Sequence, residues 1–164
     1  MKTNPLYIFL ACCLVPLALA YAALKLEWLP TGSSNYGHFL DREVRLDNWQ
    51  KTEHKQWTIA LNYPADCSLA CEQQLAALSN LYIAVGKNQH KVAVAVLAEQ
   101  PKDAAPWQQL AVSKQLQGGD LYLVDHHGLV VLRYPFSADP QQNRLVQKGL
   151  LKDLKKLLNY ARSS

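Results

Sequence analysis

Apolar and polar positions divide the chain into three stretches. Pro5 to Leu24 run without a single charge between Lys2 and Lys25, about the ~20 residues an α-helix needs to cross a hydrocarbon core. Pro16 falls within this run, which a membrane helix tolerates. From Lys25 to about Glu53 the pattern breaks down. Pro30-Thr31-Gly32-Ser33-Ser34-Asn35-Tyr36-Gly37 is turn chemistry, and Leu40, Val44 and Leu46 are isolated apolar residues, so the stretch reads as a stalk. Beyond it the apolar positions become regular. Gln56–Tyr63 predicts a buried strand. Ser68–Val85 predicts a helix, with Leu69, Leu75, Leu78 and Tyr82 at helical spacing and Gly86 as its C-cap. His90–Ala98 predicts a second buried strand, and Trp107–Gln115 a short helix after a Pro101–Pro106 loop. Gly118-Gly119 then breaks the chain before two strands, Leu121–Asp125 and Leu129–Tyr134, joined by the turn His126-His127-Gly128. A closing helix over Arg144–Arg162 has Leu150, Leu154, Leu157 and Leu158 on one face and Lys148, Lys152 and Lys155 on the other.

The order is therefore strand, helix, strand, helix, hairpin, helix. The crossover rule makes the first two strands parallel, and the hairpin adds an antiparallel pair. The expected organisation is a cytoplasmic N-terminus (1–4), a transmembrane anchor (5–24), a stalk (25–50) and an α/β domain (51–164). A signal peptide cleaved near Ala18-Leu19-Ala20 and a lipid attached near Phe9-Leu10-Ala11-Cys12 are the alternatives to an uncleaved anchor. The apolar run continues past both points, which favours the anchor. Lys2 and the amino terminus place the N-terminus inside by the positive-inside rule, and Tyr21 and Trp28 suit an interfacial belt.

Composition narrows the function classes. Hydrophobic residues make up 49% of the chain, enough for a packed core and against wholesale disorder. The net charge of +4 comes without clustered arginines and interleaved aromatics, so a nucleic-acid binder is excluded. The cationic face of the last helix reads as a solvated surface, with anionic lipid or an acidic partner as the alternative.

The chemistry concentrates at Trp57-Thr58-Ile59-Ala60-Leu61-Asn62-Tyr63-Pro64-Ala65-Asp66-Cys67-Ser68-Leu69-Ala70-Cys71, a strand leaving through a turn into a helix. A thiol at a helix N-terminus feels the positive end of the backbone dipole, which favours the thiolate. Helical residues i and i+4 lie about 6 Å apart at Cα, within the range of a disulfide. Cys67 and Cys71 can thus cycle between dithiol and disulfide, present two soft sulfurs to one metal ion, or form a bridge with a purely structural role. Asp66 is expected to be an acidic N-cap, and Tyr63 and Pro64 to shape the exit of the strand. Cys12 and Cys13 read as small apolar residues of the anchor. A zinc site would want four protein ligands at tetrahedral spacing, and no Ser/His/Asp or Cys/His signature for hydrolysis is present.

The element order and the Cys-x-x-x-Cys after a strand resemble the thioredoxin-like Sco-type proteins. The anchor, the stalk residues Asn35-Tyr36-Gly37-His38-Phe39-Leu40 and the ending from Leu121-Tyr122-Leu123-Val124-Asp125 through Arg133-Tyr134-Pro135 to Leu150-Leu151-Lys152-Asp153-Leu154 look like the small membrane-anchored members of cytochrome c oxidase assembly in Gram-negative bacteria. The resemblance implies a thioredoxin-like fold (a mixed sheet of two parallel strands plus an antiparallel hairpin, with flanking helices) behind one transmembrane helix. It further implies an inner-membrane location with the domain facing the periplasm, and thiol–disulfide exchange or copper(I) handling by Cys67 and Cys71. The partner would be a cytochrome c oxidase subunit or another assembly factor. The sequence departs from the pattern in one segment. Ser113-Lys114-Gln115-Leu116-Gln117-Gly118-Gly119-Asp120 holds neither the histidine that Sco proteins supply as a third copper ligand nor the proline of thioredoxins. Topology puts His54, His90, His126 and His127 at the far edge of the sheet from the thiols, leaving His38 on the stalk as the one histidine able to approach them. These absences motivate an alternative, a non-catalytic assembly or docking protein with a structural Cys67–Cys71 disulfide.

Overall fold

The computed structural model describes residues 5–25, 35–50, 54–67, 69–99 and 107–160. The chain forms two compact units, Met1–Ser34 and Asn35–Ser164. In the first, helix α1 runs Pro5–Lys25 and contains Pro16. The side chains of Leu6 and Leu24 lie outside the described residues, as does Trp28. Among the described residues no helix is long and apolar enough to cross a membrane.

The second unit is built on a six-stranded sheet. Its strands are β1 (His38–Arg45), β2 (Trp57–Tyr63), β3 (Val92–Ala98), β4 (Gln108–Leu110), β5 (Leu121–Asp125) and β6 (Leu129–Tyr134). Helix α2 (Leu69–Val85) and a 3-10 turn (Gly86–Lys91) connect β2 to β3, and helix α3 (Pro140–Tyr160) closes the chain. The strand order is β1-β6-β5-β2-β3-β4. Strands β2 and β3 are parallel, as expected of a strand–helix–strand crossover, and β5–β6 is the antiparallel hairpin.

The centre of the sheet forms because its strands are almost wholly apolar. All of β2 after Trp57 is buried, and so is all of β5 before Asp125. Alternation sends Ile59, Leu61 and Tyr63 of β2 to one face, where they meet Cys71, Leu78, Leu81 and Val85 of α2 and Leu150, Leu154 and Leu158 of α3. Ala60 points to the other face with Ala95, Leu97, Tyr122 and Val124, beneath Val44, Leu46 and Leu116. Both helices thus contribute to one core.

Two elements differ from expectation. His38–Arg45, read from the pattern as stalk, is a strand pairing antiparallel with β6. Its register with β6 shifts between Phe39 and Val44, and this bulge hides the period-two pattern a strand would show. The compact unit accordingly starts at Asn35 rather than near Lys51. The second difference is the helix expected over Trp107–Gln115. That stretch holds the three-residue strand β4, parallel to β3 at the sheet edge, followed by irregular chain up to Asp120. The sheet therefore has three parallel neighbours, β2, β3 and β4, where two were expected. Three residues are too few to show a period, and β-pairing with Ala95–Leu97 decides the conformation instead.

Candidate functional site

The chain leaves β2 at Tyr63, turns through Pro64 to Asp66, and enters α2 at Leu69. The turn is closed by the Cys67 N–H donating to the Pro64 carbonyl at 3.1 Å. Cys67 stands just ahead of the helix and Cys71 in its first turn. Their sulfurs are bonded, with the Cα atoms 5.8 Å apart, the i,i+4 separation expected from the sequence. Asp66 is exposed in the turn. Ser68, between that turn and α2, lies outside the described residues.

The two sulfurs have unequal surroundings. Cys71 is completely buried, while Cys67 is half-buried at the margin of the core. The Cys71 sulfur lies 3.5 Å from the backbone oxygen of Asn62. In the reduced protein its S–H can donate to that oxygen, which favours the neutral thiol. Cys67 precedes the positive end of α2, which favours the thiolate. Cys67 is therefore the more accessible sulfur of the pair and Cys71 the enclosed one.

Asn62 was not singled out by the sequence analysis, yet it organises the site. It is completely buried in β2. Its amide nitrogen donates to the carbonyls of Ser113 (3.1 Å) and Leu116 (2.8 Å), and its side-chain oxygen accepts from the Ser113 N–H (3.2 Å). Its backbone oxygen accepts from the Gly119 N–H at 2.9 Å. One amide thereby ties the loop ahead of β5 to the end of β2. The signal for it was present: a carboxamide inside an otherwise apolar strand must find partners.

The tied loop presses against the disulfide. A Cβ on Gly118 would stand 2.7 Å from Pro64 and 3.4 Å from the Cys67 Cβ; one on Gly119 would stand 2.9 Å from the Ala70 Cβ and 3.5 Å from the Cys67 sulfur. Gly119 also has φ +80°, a conformation that glycine adopts without strain. The segment without the expected proline or histidine is thus a glycine pair that lets backbone approach the sulfurs.

The histidines lie elsewhere. Asp125 pairs with Trp57, so the turn carrying His126 and His127 is at the start of β2, the edge opposite the cysteines. Those two exposed rings lie 3.8 Å apart, against each other. His54 precedes β2 and His90 precedes β3, at that same edge. His38 does not swing. It is held in β1 opposite Arg133, whose row continues through Tyr122 to Ala60. That is three strand spacings from β2, roughly 14 Å. Among the described residues no group of three or more His, Cys, Asp or Glu side chains could hold a metal ion.

A family model described as transmembrane-like, thioredoxin-like, C-terminal domain matches residues 57–161. The chain belongs to that family. Its mixed sheet with the cysteine pair after β2 is accordingly a thioredoxin-like domain. No curated protein matches the chain. Similar solved structures include a SCO1/SenC family lipoprotein from Bacillus anthracis, at 14% identity and TM-score 0.45, covering 64% of this chain and 83% of that one. Another is the apo Sco1 protein from Thermus thermophilus, at 16% identity and TM-score 0.48, covering 78% and 99%. A third is the thioredoxin domain of a thiol-disulfide oxidoreductase from Bacteroides vulgatus, at 15% identity and TM-score 0.42, covering 63% and 80%. At these TM-scores the likenesses are loose and carry no functional argument.

Proposed function

We propose that this protein is a membrane-anchored thiol–disulfide oxidoreductase whose Cys67–Cys71 couple serves the copper-site cysteines of cytochrome c oxidase during assembly. The observation that carries the redox reading is the asymmetry of the pair. One sulfur is reachable ahead of a helix N-terminus, and the other is buried against a carbonyl oxygen. In the reduced protein the Cys67 thiolate attacks one sulfur of the partner's disulfide. A mixed disulfide forms, and the departing partner thiolate takes a proton. Cys71, losing its proton, then attacks the Cys67 sulfur. The bridge closes and the partner's second thiolate leaves, so that two electrons have passed to the partner.

Copper(I) would be cargo in the other chemistry that the Sco resemblance implies. Reduced Cys67 and Cys71 offer two soft donors suited to that ion, but no histidine is positioned as a third. The donor set favours exchange. The anchor reading draws support from the charge-free run Pro5–Leu24 of the sequence and from the family's transmembrane-like description. With Lys2 inside, the domain faces the periplasm of a Gram-negative inner membrane.

The test is trapping. Cys71→Ser should accumulate mixed disulfides with a cysteine-containing partner, resolved by reductant, while Cys67→Ser should accumulate none. If Cys67→Ser/Cys71→Ser cells mature their oxidase normally, the protein acts as a docking factor with a structural bridge, and the exchange reading is lost.

A further inference from the structure

Helix α3 carries five cations, Arg144, Lys148, Lys152, Lys155 and Lys156, and a single acid, Asp153. The acid is buried, with one oxygen accepting from the Tyr36 and Gly37 N–H groups and the Tyr134 hydroxyl. The helix therefore presents no carboxylate of its own to solvent, and it alone accounts for a net charge equal to the +4 of the whole chain. At 3.6 residues per turn all five cations fall within a sector of about 120°. Four are exposed and Lys156 is half-buried. Amphipathic and apolar side chains accompany them. Leu145 and Tyr160 are 59% and 73% exposed. The Tyr36 ring lies under Lys152, whose ammonium is 4.7 Å from the ring centroid and 2.9 Å from the hydroxyl.

The chain also enters its folded unit on this helix, because the bonds to Asp153 pin Tyr36 and Gly37 there. The stretch between Lys25 and Asn35, even fully extended, spans no more than roughly 35 Å. An anchored chain would hold α3 within that distance of the lipid, where weak attraction suffices.

We infer that the cationic face of α3 docks on a bilayer surface rich in anionic headgroups. Lysine and arginine ammonium and guanidinium groups are drawn to such a surface, and exposed tyrosines suit the headgroup layer. The inference rests on the anchor proposed above, and its test separates the two. The full chain is reconstituted into vesicles of phosphatidylcholine alone or mixed with phosphatidylglycerol, floated on a density gradient, and footprinted with an amine-acetylating reagent. Flotation with both vesicles supports the anchor. Acetylation of Lys148, Lys152 and Lys155 at least about five-fold slower on the anionic vesicles, reversed by high salt, with Lys87 and Lys114 unaffected, supports the docking face. Flotation with both vesicles but equal acetylation overturns the face and leaves the anchor. Flotation only with anionic vesicles does the reverse, and flotation with neither overturns both. Protection in native membranes but not on protein-free anionic vesicles assigns the face to an acidic protein and overturns the lipid proposal.

Discussion

At the scale of single residues, Asn62 decides how the candidate site is shaped. From the end of β2 its carboxamide reaches the loop ahead of β5 through both its nitrogen and its oxygen. Replacing it by leucine keeps the volume but strips the Ser113 and Leu116 carbonyls and the Ser113 N–H of their partners. A buried group left unsatisfied costs about 1–3 kcal/mol. Since the loop can recover some bonds to water, Asn62→Leu should lose about 3 kcal/mol of unfolding free energy in a denaturant titration. It should also free Gly118 and Gly119 from the cysteines, and the disulfide should then react faster with dithiothreitol. A variant reduced no faster than the parent would show that the loop does not govern access to the sulfurs. The cysteines were legible in the sequence because their spacing carries its own geometry. Asn62 was legible only as a buried carboxamide in need of partners, and not which ones, because they lie more than fifty residues away in a loop without pattern.

The elements show the same division between local and distant causes. Strands β2, β3, β5 and β6 and helix α2 are legible because each has a continuous apolar run or a helical period. Strand β1 is not, since Leu40 to Glu43 form the irregular part of the ladder and only Val44 is deeply buried. Strand β4 is held by the neighbour it pairs with, which no local pattern reveals. The hairpin strands also carry two fully buried tyrosines, Tyr122 on β5 and Tyr134 on β6. Burial, reinforced by the nearby Asp120 carboxylate, pushes the Tyr122 phenol from its ordinary 10 up to about 12. Burial and then the charge and hydrogen bond of Asp153 push Tyr134 upward too. A folded-state value above the unfolded one means stability that is fully present below pH 10 and lost as pH rises toward 12. For Tyr122 the loss is on the order of 2–3 kcal/mol. Tyr122→Phe has no phenol to ionise, so it should give up about 1 kcal/mol at pH 7, with the bond to the Gln117 carbonyl. Its denaturation midpoints should then fall less steeply between pH 10 and 12. Parallel declines for parent and variant would refute the assignment.

At the scale of the whole molecule the question is whether the bridge holds the fold together or only uses it. The cysteines are four residues apart, so the bridge closes a very short loop. By the chain-entropy relation such a closure restricts the unfolded chain by only about 2 kcal/mol. The domain does not depend on that contribution for its core. The face under α2 and α3 is filled by apolar residues from four strands and both helices, of which Cys71 is one small member. Its apolar burial is of the kind that stabilises domains without cross-links. A cross-link that contributes little to the fold yet lies against a glycine pair at the sheet edge is better suited to opening than to stapling. Reduction should therefore lower the unfolding free energy of the purified chain by about 2 kcal/mol and leave one cooperative transition and an unchanged far-ultraviolet circular dichroism spectrum. Collapse of that transition on reduction would mean that the closed bridge is a condition of folding. The dithiol form needed for exchange would then not exist as a folded species, and the docking alternative would stand in its place.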